Sequence, residues 1–156
     1  MKTVNEVRLM GYVGTDPESR YTTDGKVVAS FPLGTNYIMR DQDGHAIKDS
    51  NGQYARHTDW HDLVAFGRLA EGVKSNVHKG TAVWVSGRLH RRVWQDKEKP
   101  DQKRSRVEVV MYDFILLPSV PKEAQRKADV EEPPVAERAP EIEIAAVPGD
   151  EGREET

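Results

Sequence analysis

Apolar and polar positions alternate along most of the first 118 residues with the two-residue period that is typical of β-strands. In the second alternating run, for example, Val27, Ala29, Phe31 and Leu33 share one face. The pattern predicts five main strands, in the segments VRLMGY, KVVASFPLGTN, TDWHDLVAFG, TAVWVSGRLHRRVW and SRVEVVMYDFILL. An Asp-Gly turn signal in TTDGK precedes the second strand.

One segment has a helical period instead. In RLAEGVKSNVHKG, Leu69, Val73 and Val77 recur every four residues, and Gly80 marks the predicted end of the helix. This helix falls between the third and fourth strands. Five strands with one short helix in this order suit a small closed antiparallel barrel, because closure removes the exposed strand edges. The polar residues Arg40–Arg56 contain two Gly turn signals, which predict a long exposed loop or a flexible hairpin.

The composition changes near Pro118, and the charge changes with it. Residues 121–156 hold 5 Lys/Arg and 11 Asp/Glu, a net charge of −6, which leaves 18 basic and 15 acidic residues, a net +3, in residues 1–120. The C-terminal part has no aromatic residue and many prolines and acids, so it cannot bury enough apolar surface to fold. We expect one β-rich domain over residues 1–118 and a disordered acidic tail over residues 119–156.

Several function classes lack their sequence signatures. The chain has no cysteine, no glycine-rich nucleotide-binding motif and no GxSxG nucleophile motif. His57 and His61 would lie about 13 Å apart on a strand, which does not suit a shared metal ion. We therefore expect no enzyme, no metal and no cofactor. With no apolar run of about 18 residues and no signal peptide, we expect a cytoplasmic protein without a membrane partner.

The most informative local pattern lies in GRLHRRVWQD, where Arg88, His90, Arg92 and Trp94 fall on one face of the fourth strand. Cations that neutralise phosphates beside a ring that stacks on unpaired bases are what single-stranded nucleic acid requires. A solvated cationic face with an amphipathic Trp at the barrel rim explains the same pattern equally well. The local sequence leaves both interpretations open.

The motifs in combination resemble those of the bacterial single-stranded DNA-binding proteins, which are homotetramers built on the OB-fold. The resemblance covers residues 3–117 and is carried by GTDPESRY, by TDWHDLVAFGRLAE and by HKGTAVWVSGRLHRRVWQD. It implies an all-β, five-stranded OB-fold barrel for residues 1–118. It also implies a protein that coats and protects single-stranded DNA, without sequence preference, in replication, recombination and repair.

The resemblance also assigns residues. It implies base stacking by Trp60, Phe66 and Trp94, and a place near subunit contacts for His61. The residues expected to contact the DNA backbone, with Arg88 added from the cationic strand face, are Arg20, Arg68, Lys79, Arg88, His90 and Arg92.

Three features depart from the family. Met39 stands where the family has a fourth stacking Trp, and Tyr37, on the same strand face as Met39, is a candidate substitute. Glu6 and Asp62 stand where the family often has basic residues, which suggests weaker binding or a shifted DNA path. The acidic tail, on which replication and repair proteins would dock, ends here in PGDEGREET without the family's apolar tip.

Two other functions remain alternatives. One is an OB-fold assembly or adaptor module that binds protein partners in a replication or mobile-element complex. The other is a metal-dependent nuclease that would use Asp59, Asp62 and Glu71 as paired carboxylates. Because Asp59 and Asp62 fall on opposite faces of a strand, the nuclease is the weakest of the three hypotheses.

Overall fold

The computed structural model describes residues 1–96 and 101–118, and the tail predicted to be disordered, residues 119–156, lies outside this part. The elements in chain order are β1 (Val7–Val13), β2 (Glu18–Tyr21), β3 (Val27–Ile38), β4 (Arg56–Phe66), α1 (Gly67–Asn76), β5 (Ala82–Gln95) and β6 (Lys103–Leu116). Within the described ranges, no helix is long and apolar enough to cross a membrane.

Five of the strands form a closed barrel. Their order is β1-β5-β6-β4-β3, and β3 pairs back to β1, where Val13 lies opposite Leu33. The pairs are antiparallel except for β4 with β6, which run parallel where Leu63 lies opposite Val109. Helix α1 lies between β4 and β5, the third and fourth strands of the barrel. The predicted all-β OB-fold barrel with one short helix is therefore confirmed.

Apolar side chains from every barrel strand fill the interior. Those residues alternate with outward-facing neighbours, so each strand has an inner and an outer face. One fully buried residue from each strand illustrates the set: Val13, Leu33, Leu63, Val85 and Val109. Helix α1 packs Ala70 and Val73 against the same core. The functional residues must therefore lie on the outer faces or at the strand ends.

Strand β2 is an addition to the five predicted strands. It pairs with β3, and the turn between them contains Gly25 with a φ of 78°, at the predicted Asp-Gly signal. All four β2 residues are exposed. The sequence ESRY therefore offers no alternation of apolar and polar positions from which the strand can be predicted.

Helix α1 ends at Asn76, so the prediction that it extends to Gly80 is wrong. The N–H of Val77 makes the last helical bond, to the carbonyl of Val73 at 2.9 Å. The N–H of Gly80 instead bonds to the carbonyl of Val13 at 2.8 Å, because the chain has already turned toward β1. Gly80 has a φ of 83° within this turn, a conformation that glycine adopts without strain.

Residues Arg40–Arg56 fold into two tight turns of the same construction, which is more order than the predicted loop or flexible hairpin. The carboxylate of Asp41 accepts hydrogen bonds from the N–H groups two and four residues later, and the carboxylate of Asp49 does the same. The N–H of His45 is the main cause that lowers the pKa of Asp41. The repeated pattern Asp-x-Asx-Gly-x is the signal that predicts such turns.

Strand β6 contains a β-bulge, at which one extra residue of β6 lies between the partners of two consecutive β5 residues. Ser86 lies opposite Asp113, whereas Gly87 lies opposite Met111, so Tyr112 is bulged. The bulge changes which residues of β6 face outward. In β6, even-numbered residues face outward before the bulge and odd-numbered residues face outward after it. In β5, even-numbered residues face outward along the whole strand.

Candidate nucleic-acid interface

The outer face of β5 continues onto β6. Directly opposite residues of paired strands share a face of the sheet. Arg88, His90, Arg92 and Trp94 lie opposite Val110, Glu108, Arg106 and Arg104, respectively. The surface formed by these β5 residues is here called the cationic face. It also includes Arg104 and Arg106 of β6, which the sequence analysis missed. The run KRSR at the start of β6 was the available signal, but only the strand register aligns it with Arg92 and Trp94.

A groove of about 680 Å³ is lined by residues of β2, β3, β4, β5 and β6 and by Thr15. It brings together three of the predicted DNA-binding residues, Arg20 from β2 and Arg92 and Trp94 from β5. Within residues 1–96 and 101–118, the guanidinium groups of Arg20 and Arg92 have no ion-pair partner. Two available cations beside an indole that is 41% exposed can hold a phosphate and an unpaired base together.

Trp60 projects from the outer face of β4 and is 61% exposed. Its six-membered ring covers two glycines: a Cβ at Gly14 would lie 2.5 Å from Cζ3 of the indole, and one at Gly34 would lie 3.1 Å from the same atom. Pro32, beside Gly14, also lines the groove. The ring is thus supported by the barrel and open to solvent at the edge of the groove, as stacking on a base requires.

Phe66 ends β4, immediately before helix α1, and is 50% exposed. It lies opposite Val28 of β3, and Val28 lies opposite Arg20 of β2, so Phe66 and Arg20 belong to one cross-strand row. Six residues of extended chain separate Phe66 from Trp60, a distance of about 20 Å. Phe66 therefore lies at the end of the outer face of β4, and Trp60 lies near its middle.

The other predicted phosphate ligands do not line the groove. Arg68 is exposed in the first turn of α1, and Arg88 is half-buried near the start of the cationic face. Lys79 lies in the turn before β5, where its backbone N–H donates to the carboxylate of Asp16 at 2.8 Å. His90 is on the cationic face but is paired with an acid. Arg88 and His90 are neighbours on the cationic face, whereas Arg68 and Lys79 lie on other elements, so the four residues do not form one cluster.

Carboxylates pair with three basic side chains of the outer face. The pairs are Asp62 with Arg106, Glu108 with His90 and Asp96 with Arg104. The first is bidentate, with 2.6 Å between Nη2 of Arg106 and Oδ1 of Asp62 and a second contact from Nε to Oδ2. The second joins Nδ1 of His90 to Oε1 of Glu108 at 3.0 Å. The face is therefore less positive than the β5 sequence alone indicates.

His61 and Tyr37 point to the side of the β3–β4 sheet opposite Trp60. Nε2 of His61 lies 2.8 Å from Oγ1 of Thr35, so the imidazole is hydrogen-bonded within its own chain. The ring centroid of Tyr37 lies 5.3 Å from that of His57. The subunit contact assigned to His61 stays a prediction. Tyr37, the candidate substitute for the missing Trp, is not on the face that carries Trp60.

Three exposed residues of the first tight turn, Asp41, Asp43 and His45, bring possible metal-ligand atoms within 4.8 Å of one another. The Asp41 carboxylate is already engaged by two backbone N–H groups. Exposed groups of this kind are common without a bound ion. The expectation that the protein has no metal site stays a prediction.

A second exposed surface lies on the outer face of β1, β5 and β6, on the far side of the bulge. Met10, Trp84 and Ile115 are side by side on three adjacent strands and are here called the apolar row. Met10 and Ile115 are more than half exposed, and the bulged Tyr112 is exposed near them. An exposed apolar surface of this kind is typical of sites at which another molecule binds.

Comparison with known proteins agrees with this architecture. The family model described as the single-strand binding protein family matches residues 4–117. The chain is similar to single-stranded DNA-binding protein 1 of Chlorobaculum tepidum, with 37% identity over 114 residues that cover 73% of this chain and 65% of that protein's length. Its fold is similar to that of a Plasmodium falciparum SSB in a complex with ssDNA, with a TM-score of 0.61 and 29% identity over 76% of this chain and 98% of that one. The chain therefore belongs to the single-strand binding protein family.

Proposed function

We propose that this protein binds single-stranded DNA without sequence preference and coats it during replication, recombination and repair. The observation that carries the proposal is the groove, in which the exposed indole of Trp94 lies with the available guanidinium groups of Arg20 and Arg92. The similarity to a bacterial single-stranded DNA-binding protein and to an SSB solved with ssDNA supports single-stranded DNA as the ligand.

Base stacking on Trp60, Phe66 and Trp94 supplies the part of the affinity that does not depend on charge. Each stacked base contributes roughly 1–3 kcal/mol and tolerates any sequence, because every base has a π-face. Trp60 is supported from below by Gly14 and Gly34, so its ring is held in place before DNA arrives. A ring that is already positioned loses little conformational entropy on binding.

Electrostatic attraction to phosphates supplies the rest. Arg20 and Arg92 bind phosphates in the groove, and Arg68, Lys79, Arg88 and His90 continue the path of the strand over the surface. Each phosphate contact releases condensed counterions, so the logarithm of the binding constant falls by about 0.7 per contact for each tenfold rise in salt. Binding is therefore strongly dependent on salt.

The protein acts as a homotetramer through its exposed apolar surface. The apolar row supplies side chains whose burial between subunits is favourable, and His61 lies near a subunit contact. Assembly gives several DNA-binding faces on one particle, so a long strand is bound with higher avidity than one face provides.

The acidic tail is a possible binding site for replication and repair proteins. The protein acts in the bacterial cytoplasm, where it associates with the nucleoid.

The protein works by binding and not by catalysis. In the groove, Asp62 and Glu108 are paired with basic side chains, which favours a structural role for them over metal-assisted hydrolysis. Incubation with a labelled oligonucleotide in magnesium or manganese should leave the oligonucleotide intact. Cleavage that is lost in Asp62→Asn would establish the nuclease function instead.

Intrinsic tryptophan fluorescence during titration with oligo-dT tests the function directly. Stacking of Trp60 and Trp94 on bases should quench the fluorescence, and added salt should reverse the quenching. An adaptor that binds only proteins would show no quenching at any salt concentration. That result, obtained with folded protein, would reject the proposed function in favour of the adaptor module.

A further inference from the structure

The Asp62–Arg106 ion pair lies within the lining of the groove, beside Arg92 and Trp94. Its two residues are 44 positions apart in the sequence and belong to β4 and β6. The side chain of Arg106 is 63% exposed and that of Asp62 is 35% exposed. The pair is thus open to solvent, and a phosphate that enters the groove can reach the guanidinium group.

Arg106 also lies directly opposite Arg92 across the β5–β6 pair. Like charges that face each other on adjacent strands repel, and this repulsion destabilises the sheet. In the free protein, the carboxylate of Asp62 pairs with Arg106 and supplies a counter-charge that offsets this repulsion. The groove therefore contains two arginines side by side, of which Arg106 is neutralised by an acid and Arg92 is available.

We propose that Arg106 is a phosphate-binding residue of the groove and that Asp62 occupies it until DNA binds. When a strand enters, a phosphate oxygen pair replaces the Asp62 carboxylate on the guanidinium of Arg106. This inference rests on the proposed function. Asp62 thereby lowers the affinity of the groove, since its carboxylate competes with each incoming phosphate for the same donors.

Arg106 can exchange the Asp62 carboxylate for a DNA phosphate, and can return to the carboxylate when the DNA leaves. A guanidinium binds carboxylate and phosphate with the same bidentate geometry, so Arg106 needs little movement to change partner. Ion pairs between exposed side chains are weak and open readily. A phosphate held between Arg92 and Arg106 also relieves the repulsion between these arginines, as Asp62 does in the free protein.

A double-mutant cycle on Asp62→Asn and Arg106→Gln tests the exchange, with the anisotropy of a labelled oligo-dT as the measure of binding. Asp62→Asn should raise the affinity about two- to fivefold, the range in which exposed ion pairs contribute. Arg106→Gln should lower the affinity and make the slope of log K against log salt less negative by about 0.7, because one phosphate contact is lost. In the Arg106→Gln background, Asp62→Asn should give no gain.

Two controls separate this mechanism from simpler ones. Asp43→Asn removes one negative charge from an exposed turn outside the groove, and it should leave the affinity unchanged at about 0.1 M salt, where exposed charges more than roughly 10 Å apart are largely screened. Thermal unfolding and particle mass should show that every variant is folded and assembled. Trp94→Ala reports on the proposed function itself.

The outcomes are distinguishable. If the wild-type protein binds oligo-dT and Trp94→Ala weakens it, but Arg106→Gln leaves the salt slope unchanged, the exchange is wrong and the proposed function stands. The exchange is also overturned if Asp62→Asn raises the affinity equally in the wild-type and in the Arg106→Gln background. Asp62 would then lower the affinity by general repulsion of the DNA phosphates. No binding by the wild-type protein would reject the proposed function.

Discussion

Strand β5 carries two surfaces on a single outward-facing row of side chains, and they differ completely in chemistry. On one side of the β6 bulge, Trp84 lies between Met10 and Ile115, and the surface is apolar. On the other side, Trp94 lies beside arginines and lines a groove. Both tryptophans have the same parity on the same strand. Their surroundings are set by the neighbouring strands, so cross-strand partners, and not local sequence, separate the apolar row from the proposed DNA-binding groove.

The largest expected effect comes from removing the aromatic rings at the DNA-binding end. Trp60→Ala combined with Trp94→Ala should weaken oligo-dT binding by about 2–6 kcal/mol, since each stacked base contributes roughly 1–3 kcal/mol. Anisotropy of a labelled oligonucleotide measures the loss without relying on tryptophan emission. Trp84→Phe is the matched control at the other end of β5 and should keep wild-type affinity. Unchanged affinity in a folded double variant would falsify the stacking assignment.

The next largest effect, a loss of subunit assembly, is expected from a substitution in the apolar row. Ile115→Asp places a charge at the β6 end of the apolar row, and burying an unpaired carboxylate between subunits is costly. Light scattering should show a smaller particle, and the affinity for a long oligonucleotide should fall about 100-fold as avidity is lost. Binding of an oligonucleotide that spans one face should persist. A variant that keeps the wild-type mass would place the subunit interface elsewhere.

A smaller effect is expected from Gly14→Ala, which leaves the chemistry of Trp60 intact and changes only its support. The added methyl group would lie 2.5 Å from the indole ring, so the ring must move. We expect binding to weaken by about 1 kcal/mol, near the lower end of the stacking range. The thermal midpoint should change little if the ring moves into solvent. Equal binding by Gly14→Ala and wild type would show that the position of the ring is not critical.

Deletion of residues 121–156 should have the smallest effect. This segment carries a net charge of −6. If it competes with DNA for the basic surface, as its charge predicts, its removal should raise the affinity at low salt. The gain should shrink as salt is added and vanish near 1 M, where the screening length is about 3 Å. Titrations of both chains over a series of salt concentrations measure it. Equal affinities of the full-length and truncated chains at every salt concentration would mean that the tail is only a linker.

The alternation of apolar residues was sufficient to predict the barrel strands, because burial of one face imposes the two-residue period. It failed for β2, whose residues are all exposed. It also missed the bulge at Tyr112, although the switch of apolar positions from Val109 and Met111 to Phe114 was visible in the sequence. A change in the phase of alternation is the signature of such a bulge.

The candidate site was less predictable than the fold. Trp94 and Arg92 were assigned to one face from their spacing, and the strand register agrees with that placement. The pairing of Asp62 with Arg106 was not accessible to sequence reasoning, because it depends on the contact between β4 and β6. Sequence periodicity describes one strand at a time, whereas the charge of a groove depends on side chains from several.

The most direct test of the account uses the three tryptophans of the chain as separate reporters. Protein labelled with 5-fluorotryptophan should give one ¹⁹F resonance each for Trp60, Trp84 and Trp94, assigned by single Trp→Phe substitutions. Addition of oligo-dT should shift the resonances of Trp60 and Trp94, the two proposed base-stacking residues, and leave that of Trp84 in place. A shift of Trp84 alone, or no shift at all, would contradict the assignment of the two ends of β5.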